Sequence, residues 1–453
     1  MSSPNGVFAI RTSNVRIAMA SVVGTTIEFY DFYVYATAAV FVFPKLFFPP
    51  GDPSAALLAS LATFGLAFVA RPLGSVLFGH FGDRLGRKAT LVSSLLLMGL
   101  ATCAIGVLPT YAHVGVLAPA LLAVMRFAQG LALGGEWSGA VLLAAETARP
   151  GRRGWMAIWP QLGAPLGFLL ANALILLLVS LLGVDGAQFA ANDAFYSWGW
   201  RIPFLLSAVM VAIGLYVRFK LVETPIFARS LERGEAVRAP VITLFRGSWH
   251  QVVTGAFVVL SAFSIFYIVT TWVLSYGTAA RAPKGFGLGI DYVSFLQMQL
   301  IAVVFFAGAI PIAGLLLDEF GRRRTLTAIS VAIICYGAAF TSLLAPSHAS
   351  RGTVLLFLIL GMALTGMAYG PMGAVLPELF PTNVRYSGSG VSFNIASIMG
   401  AAVAPFIATW LTVHHGVGHV GLYLIAMAVL SLVAQRFLPE AGGTSLDGPE
   451  PPL

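Results

Sequence analysis

The sequence predicts an all-α polytopic membrane protein, with about twelve transmembrane helices arranged as two parallel six-helix repeats. Three observations carry that prediction. Of the 453 residues, 58% are hydrophobic and only 10% charged, with a mean hydropathy of +0.88, whereas soluble domains are typically about 25% charged. Apolar stretches recur along the chain, many of the ~20 residues needed to cross about 30 Å of hydrocarbon. Finally, one motif occurs twice, as Gly79-His80-Phe81-Gly82-Asp83-Arg84-Leu85-Gly86-Arg87-Lys88 and as Gly314-Leu315-Leu316-Leu317-Asp318-Glu319-Phe320-Gly321-Arg322-Arg323. Both copies read G-x-x-x-D-x-x-G-R-K/R, and both sit between long apolar runs.

Hydropathy places the first six spans near 17–43, 55–79, 89–109, 114–143, 156–183 and 201–221. Together they make an N-terminal bundle over 1–222, followed by a polar linker over 223–248. The second six spans fall near 249–277, 292–317, 326–345, 353–376, 388–413 and 420–438, forming a C-terminal bundle over 249–438. The Gly- and Pro-rich tail, 439–453, reads as disordered. The repeat extends beyond the loop: Glu146 and Arg153 after span 4 recur at the same spacing as Glu378 and Arg385 after span 10. An even number of spans per half keeps the two copies in the same orientation.

Charge placement sets the expected topology. Most of the 26 Lys and Arg fall at the termini or in alternate loops, among them Arg16, Lys88, Arg152, Arg218, Arg233 and Arg324. Lys45, Arg201, Arg281, Lys284 and Arg351 lie on the other side, while Arg71 and Arg126 lie within apolar segments. This asymmetry predicts both termini in the cytoplasm. The +8 formal charge is thus a topology signal, and no nucleic-acid partner is expected. The first apolar stretch, despite its Ala36-Thr37-Ala38 triplet, is long, carries Glu28 and Asp31, and is read as a retained span. Cys103 and Cys335 both sit in mid-span, so no disulfide framework is indicated.

A tight acid- and base-bearing turn that bridges two spans in each half is a hinge and gate rather than a catalytic site. The chain therefore reads as a transporter and not an enzyme. No Walker loop, dinucleotide fingerprint or zinc-protease helix is present, and no cofactor is expected. His414, His415 and His419 lack Cys or carboxylate neighbours and read as a solvated loop, not a metal site.

Charges inside the bilayer cost about 2.5–3.5 kcal/mol each on insertion scales, so they face partners or wet cavities. Span 1 carries Glu28 and Asp31, close to one helical face; span 4 carries Arg126 and Glu136. Asp31 opposite Arg126 is the expected proton-coupling pair, with Glu28 as a further candidate. A carboxyl whose Arg partner moves can take up a proton on one side and release it on the other. A static pair locking two helices is the other reading. Arg71 is a candidate contact for a carboxylate, or a residue that reaches toward the interface. Gln129, Gln161, Asn172, Tyr267, Trp272, Gln297, Tyr369 and Asn394 are polar or amphipathic groups in spans, open to substrate contact or interhelical hydrogen bonds.

Several further motifs accompany the duplicated loop: Gly24-Thr25-Thr26-Ile27-Glu28-Phe29-Tyr30-Asp31-Phe32, Arg71-Pro72-Leu73-Gly74, Arg126-Phe127-Ala128-Gln129-Gly130 and Gly134-Gly135-Glu136-Trp137. Trp200-Arg201-Ile202-Pro203-Phe204 and Pro377-Glu378-Leu379-Phe380-Pro381-Thr382-Asn383-Val384-Arg385 complete the set. With these the chain resembles the major facilitator superfamily nearly end to end. More narrowly it is similar to the metabolite:proton symporters, which include shikimate, α-ketoglutarate and proline/betaine carriers. One departure is Glu319, where the first copy of the loop has Arg84.

The resemblance implies a proton-coupled symporter of the inner membrane, importing a small polar carboxylate or zwitterion by alternating access. It supports the Asp31–Arg126 assignment. It also implies that spans 1, 4, 7 and 10 line the cavity, which favours Tyr30, Gln129, Tyr267 and Tyr369, with Glu136, Gln161, Asn394 and Arg71 as further substrate candidates. Asp83, Arg84, Arg87, Glu146, Arg153, Asp318, Arg322, Glu378 and Arg385 are the expected cytoplasmic gate. The implied partners are protons, a small metabolite and the lipid bilayer, and a monomer suffices because one chain holds both halves. A uniporter or a drug or metabolite exporter of the same fold is the alternative, with a non-transporting nutrient sensor less favoured.

Overall fold

The computed structural model describes residues 5–51, 53–85, 87–146, 148, 152–182, 194–219, 240–281, 286–381 and 384–438. The side chains of 5–17, 53–54, 57–58, 83–85, 87, 146 and 240–241 lie outside the description. So do the larger part of the expected linker, up to 239, and the tail at 439–453.

Span 1 is Asn5–Phe41, span 2 Pro53–Leu85, span 3 Arg87–Val107 and span 4 Leu117–Glu146. Span 5 is Arg153–Leu181, span 6 Phe195–Phe219, span 7 Trp249–Thr278 and span 8 Tyr292–Phe320. Span 9 is Arg322–Ala338 continued by Phe340–Leu344. Span 10 is Arg351–Glu378, span 11 Arg385–His415 and span 12 Val417–Gln435. Ten of these are long and apolar enough to cross a membrane by composition alone. Spans 1 and 9 complete the twelve, and their weaker signal has a local cause. Span 1 spends mid-helix positions on Glu28, Tyr30, Asp31, Tyr33 and Tyr35, all of them buried. Span 9 opens on Arg322, Arg323 and Arg324 and is interrupted after Ala338.

Helices suit this environment because each satisfies its own backbone donors and acceptors, which hydrocarbon cannot do. Their outer faces are apolar in helical register. On span 2, Val69, Leu73, Leu77 and Phe81 recur every fourth residue, all exposed, as a face turned to lipid requires. The inner faces are close-packed through small residues. An added Cβ at Gly74 would overlap the backbone of Leu131, and one at Gly134 would overlap the carbonyl of Arg71. Spans 2 and 4 thus approach nearly backbone to backbone, as small-residue spacings permit.

The packing repeats with an offset of six spans. Spans 2 and 4 pair extensively in the first half, as do 8 and 10 in the second; 3 with 6 is matched by 9 with 12. Span 5 is broken by a 3₁₀ turn at Pro160–Leu162, and spans 6, 7 and 11 contain π-helical turns at Phe195–Gly199, Ile268–Trp272 and Ile398–Ala402. Such turns shift helical register locally and often occur at functional sites.

Candidate functional site

The candidate site lies where the two halves meet, and aromatic side chains build it. Phe29, Phe32 and Tyr33 of span 1 and Phe68 of span 2 come from the first half. Phe266 and Tyr267 of span 7 and Tyr369 of span 10 come from the second. Tyr369 meets Phe29 edge-on at 6.3 Å, Tyr267 meets Phe68 at 5.7 Å, and Tyr33 meets Phe266 at 6.4 Å. All seven are buried.

Arg71 enters this layer from span 2. Its guanidinium lies 5.1 Å from the Phe32 ring centre and 4.9 Å from that of Phe68, a cation–π seat. Its Nη1 donates to Ser397 Oγ of span 11 at 3.0 Å, across the interface between the halves. Arg71 also interacts electrostatically with Tyr33, Tyr267 and Tyr369. Several buried polar atoms here have no hydrogen-bond partner: Arg71 Nε, Tyr33 Oη and Tyr369 Oη. Unpaired buried donors around one cation are a ready complement to an acceptor-rich, anionic group. Tyr33 and Ser397 escaped the sequence reading. Tyr33 shares a helical face with Phe29, four residues earlier, but nothing local distinguished it from Tyr30 or Tyr35.

Asp31 and Arg126, both fully buried, are joined by a relay rather than by direct contact. Arg126 Nη1 donates to Gln129 Oε1 at 3.1 Å, and Gln129 Nε2 donates to Thr102 Oγ1 at 2.8 Å. Thr102 Oγ1 lies 3.0 Å from Asp31 Oδ2 and 2.9 Å from the Met98 carbonyl, either of which can accept its proton. Asp31 Oδ1 has no partner. The Arg126 guanidinium is seated instead against the Tyr35 ring, 4.0 Å from its centre. Thr102, on span 3, was invisible as a candidate because a lone Thr in an apolar helix carries no pattern.

Other predicted residues have definite places. Gln161 Nε2 donates to the Tyr369 carbonyl at 3.1 Å, across the halves, and Gln161 Oε1 accepts from Trp137 Nε1 at 3.0 Å. Trp137 in turn stacks on Phe393 of span 11, with ring centres 3.8 Å apart. Asn394 Nδ2 donates to the Gly390 carbonyl at 2.8 Å, and its Oδ1 is unpartnered. Two candidates are held within their own half. Tyr30 donates to the Pro203 carbonyl at 2.8 Å, and Glu136 pairs with Arg218 of span 6 and accepts from Ser94 at 3.4 Å. Arg218, expected among the loop charges, is 2% exposed inside the bundle; hydropathy alone cannot separate the last turn of a span from the loop after it.

At the end carrying the duplicated loops, the halves are tied together. Asp318 accepts from the backbone amides of Gly154 and Trp155 at 2.8 and 2.9 Å. Arg322 grips Glu378 with two hydrogen bonds of 3.0 and 2.8 Å within the second half. The Arg385 Nε–H bonds the Phe380 carbonyl at 3.1 Å, and Arg153 is buried nearby at the start of span 5. Tyr386 donates to the Gly135 carbonyl across the halves. The side chains of Asp83, Arg84, Arg87 and Glu146 lie outside the described residues. No cluster of His, Cys, Asp or Glu suited to a metal ion occurs among the described residues.

Two half-bundles of six spans, offset copies of one another and meeting at a buried polar centre, define a carrier fold. The family model of the Major Facilitator Superfamily matches residues 22–403, and the chain belongs to that superfamily, whose members are membrane transporters and not enzymes. It is 52% identical over 435 residues to the inner membrane metabolite transport protein YhjE of Escherichia coli K12, covering 96% of both chains. Identity to the shikimate transporter of the same organism is 36%, covering 94% of each chain. Identity to its proline/betaine transporter is 31%, covering 95% of this chain and 85% of that one. Among solved structures, the proton:xylose symporter XylE bound to 6-bromo-6-deoxy-D-glucose superposes with a TM-score of 0.72. The match has 16% identity and covers 96% and 98% of the two chains; it is a likeness of fold.

Proposed function

We propose that this protein is a proton-coupled symporter of the inner membrane that imports a small carboxylate or zwitterion by alternating access. The observation that carries the reading is Arg71, a buried guanidinium held between the halves among tyrosine hydroxyls that lack partners. A carboxylate entering from outside would bond Arg71 and the hydroxyls of Tyr33 and Tyr369. Tyr267, Gln161 and Asn394 stand near that interface as further contacts. Because Arg71 already bridges to Ser397 of the second half, engaging a substrate there changes how the halves are held together.

Proton coupling is assigned to Asp31, with Arg126, Gln129 and Thr102 as the chain that senses its charge. Protonating Asp31 removes the acceptor at one end of that chain. Arg126 is then free to strengthen another contact, which biases the rocking equilibrium. One proton crossing about 100 mV yields about 2.3 kcal/mol, enough for roughly 50-fold accumulation of a neutral solute. The gate is assigned to Asp318, Arg322, Glu378, Arg153 and Arg385, with Asp83, Arg84, Arg87 and Glu146 as their sequence counterparts. The positive loops support a cytoplasmic position for that end and for both termini. Support for the substrate class comes from the relatives named for shikimate and for proline and betaine.

The test is substrate-induced proton movement in proteoliposomes, screened over carboxylates, betaines and sugars, with Asp31→Asn and Arg71→Gln alongside. Symport requires one compound to drive inward proton flux that Asp31→Asn abolishes while binding survives. Arg71→Gln should weaken binding of that compound at least 10-fold. Transport without proton flux would instead favour the uniporter, and flux preserved in Asp31→Asn would make Asp31 structural.

A further inference from the structure

We propose that Glu28 is a second proton-carrying carboxyl on span 1, and that Glu136 positions it by holding Arg218 away from it. Glu28 is 3% exposed, and its Oε2 has no hydrogen-bond partner. The charged and titratable groups that face it are Glu136, Arg71, Arg218, Asp31 and Tyr369. Neither cation is bonded to Glu28 Oε2. Arg218 gives one Nη to Glu136 and the other to the Leu91 carbonyl. Arg71 gives its Nη1 to Ser397 at 3.0 Å and is seated over the Phe32 and Phe68 rings.

Arg218 nonetheless lies next to Glu28. Gly24, one helical turn before Glu28 on span 1, is a notch for this guanidinium: an added Cβ there would overlap Arg218 Nη2. The arginine therefore packs against the same face of span 1 that carries Glu28, yet its donors are directed to spans 3 and 4. A buried carboxylate with no cation bound to it is costly and is relieved by taking up a proton. Glu28 and Glu136 share Arg218, while Arg71 is turned to Ser397 and the Phe32 and Phe68 rings, so one of the two carboxyls is ionised and the other protonated. Glu136 has the hydrogen bonds of Arg218 and Ser94, so Glu136 is the ionised member and Glu28 holds the proton. Neutralising Glu136 frees Arg218 for Glu28, which then releases its proton to solvent. The meaning of this for transport, two exchangeable carboxyls at Glu28 and Asp31, rests on the proton-coupled reading above. The protonation pattern itself does not.

The experiment is infrared difference spectroscopy of the purified full-length protein without substrate, following the carbonyl stretch of protonated buried carboxyls through a pH titration. All variants are made in an Asp31→Asn background, so that Asp31 contributes no band. The parent should show a protonated-carboxyl band at neutral pH, and Glu28→Gln should remove it. Glu136→Gln should also remove it, although Glu28 is still present. Glu136→Gln combined with Arg218→Met should restore it, because the guanidinium freed by Glu136→Gln is gone while Arg71 stays with Ser397 and the Phe32 and Phe68 rings; this double variant buries a neutral pair and keeps the test open if the single variant folds poorly. A band that survives Glu28→Gln overturns the assignment of the proton. A band unchanged by Glu136→Gln, or absent from the double variant, overturns the positioning role of Glu136. Failure of the transport reading would appear separately, as proteoliposomes without proton flux beside an intact infrared pattern.

Discussion

The Asp318 carboxylate of span 8 accepts the backbone amide of Gly154 at 2.8 Å, with Trp155 adding a second bond at 2.9 Å. An acid of the second half thus satisfies donors at the start of a helix in the first, where the leading amides lack intrahelical partners. Gly154 is small for a reason: a Cβ there would come within 2.6 Å of Asp318 Oδ1. Hydrogen bonds to a charged group contribute about 1.5–3 kcal/mol. Asp318→Ala should therefore shift the equilibrium toward opening at this end by roughly 10-fold or more. Alkylation of single cysteines placed between spans 5 and 8 would report it, and an unchanged rate would remove Asp318 from the latch.

Tyr386 is a second tie, donating to the Gly135 carbonyl. Its ring is fitted against Gly82 of span 2, and Gly79 is fitted against Ser387. Tyr386→Phe keeps the ring and loses only a neutral hydrogen bond, worth about 1 kcal/mol. The expected shift toward opening is about 5-fold, smaller than that of Asp318→Ala. Distance measurements between spin labels on spans 4 and 11 would rank the two variants.

Thr102 links Asp31 to Gln129. Thr102→Val preserves shape while removing the hydroxyl, so Asp31 loses the group that links it to Gln129 and Arg126. Proton-coupled uptake should fall several-fold and its pH profile should change, with maximal binding little changed. A profile identical to that of the parent protein would show that the relay does not carry coupling.

Glycine sites separate packing from indifference. Gly134→Leu forces a side chain into the backbone of span 2 and should abolish folded protein, as overpacking of a close contact does. Gly65 and Gly308 have no atom within 4 Å of an added Cβ. Alanine at either should be tolerated or stabilise by about 0.5–1 kcal/mol, since both lie within helices. Thermal denaturation in detergent distinguishes the two classes.

Much of the site was legible residue by residue and little of it pair by pair. Glu28, Asp31, Arg71 and Arg126 stood out because a charge in an apolar run is costly, and all four are buried at helix contacts. Their partners did not stand out. Thr102, Ser397 and Tyr33 are ordinary residues in apolar helices, and Arg218 looked like a loop charge because it ends a span.

The sequence by itself determined the number, order and repetition of the spans, because a helix in hydrocarbon satisfies its own backbone and its signature is local. It also marked which residues would be costly to bury. Only the tertiary structure decided what each of these residues meets. Partner choice depends on the rotation and depth of each helix, and those are set by contacts such as Gly74 on Leu131 and Gly24 on Arg218, between residues far apart in the chain. The same physics explains why Arg218 reaches Glu136 and why Arg126 reaches Asp31 only through Gln129 and Thr102.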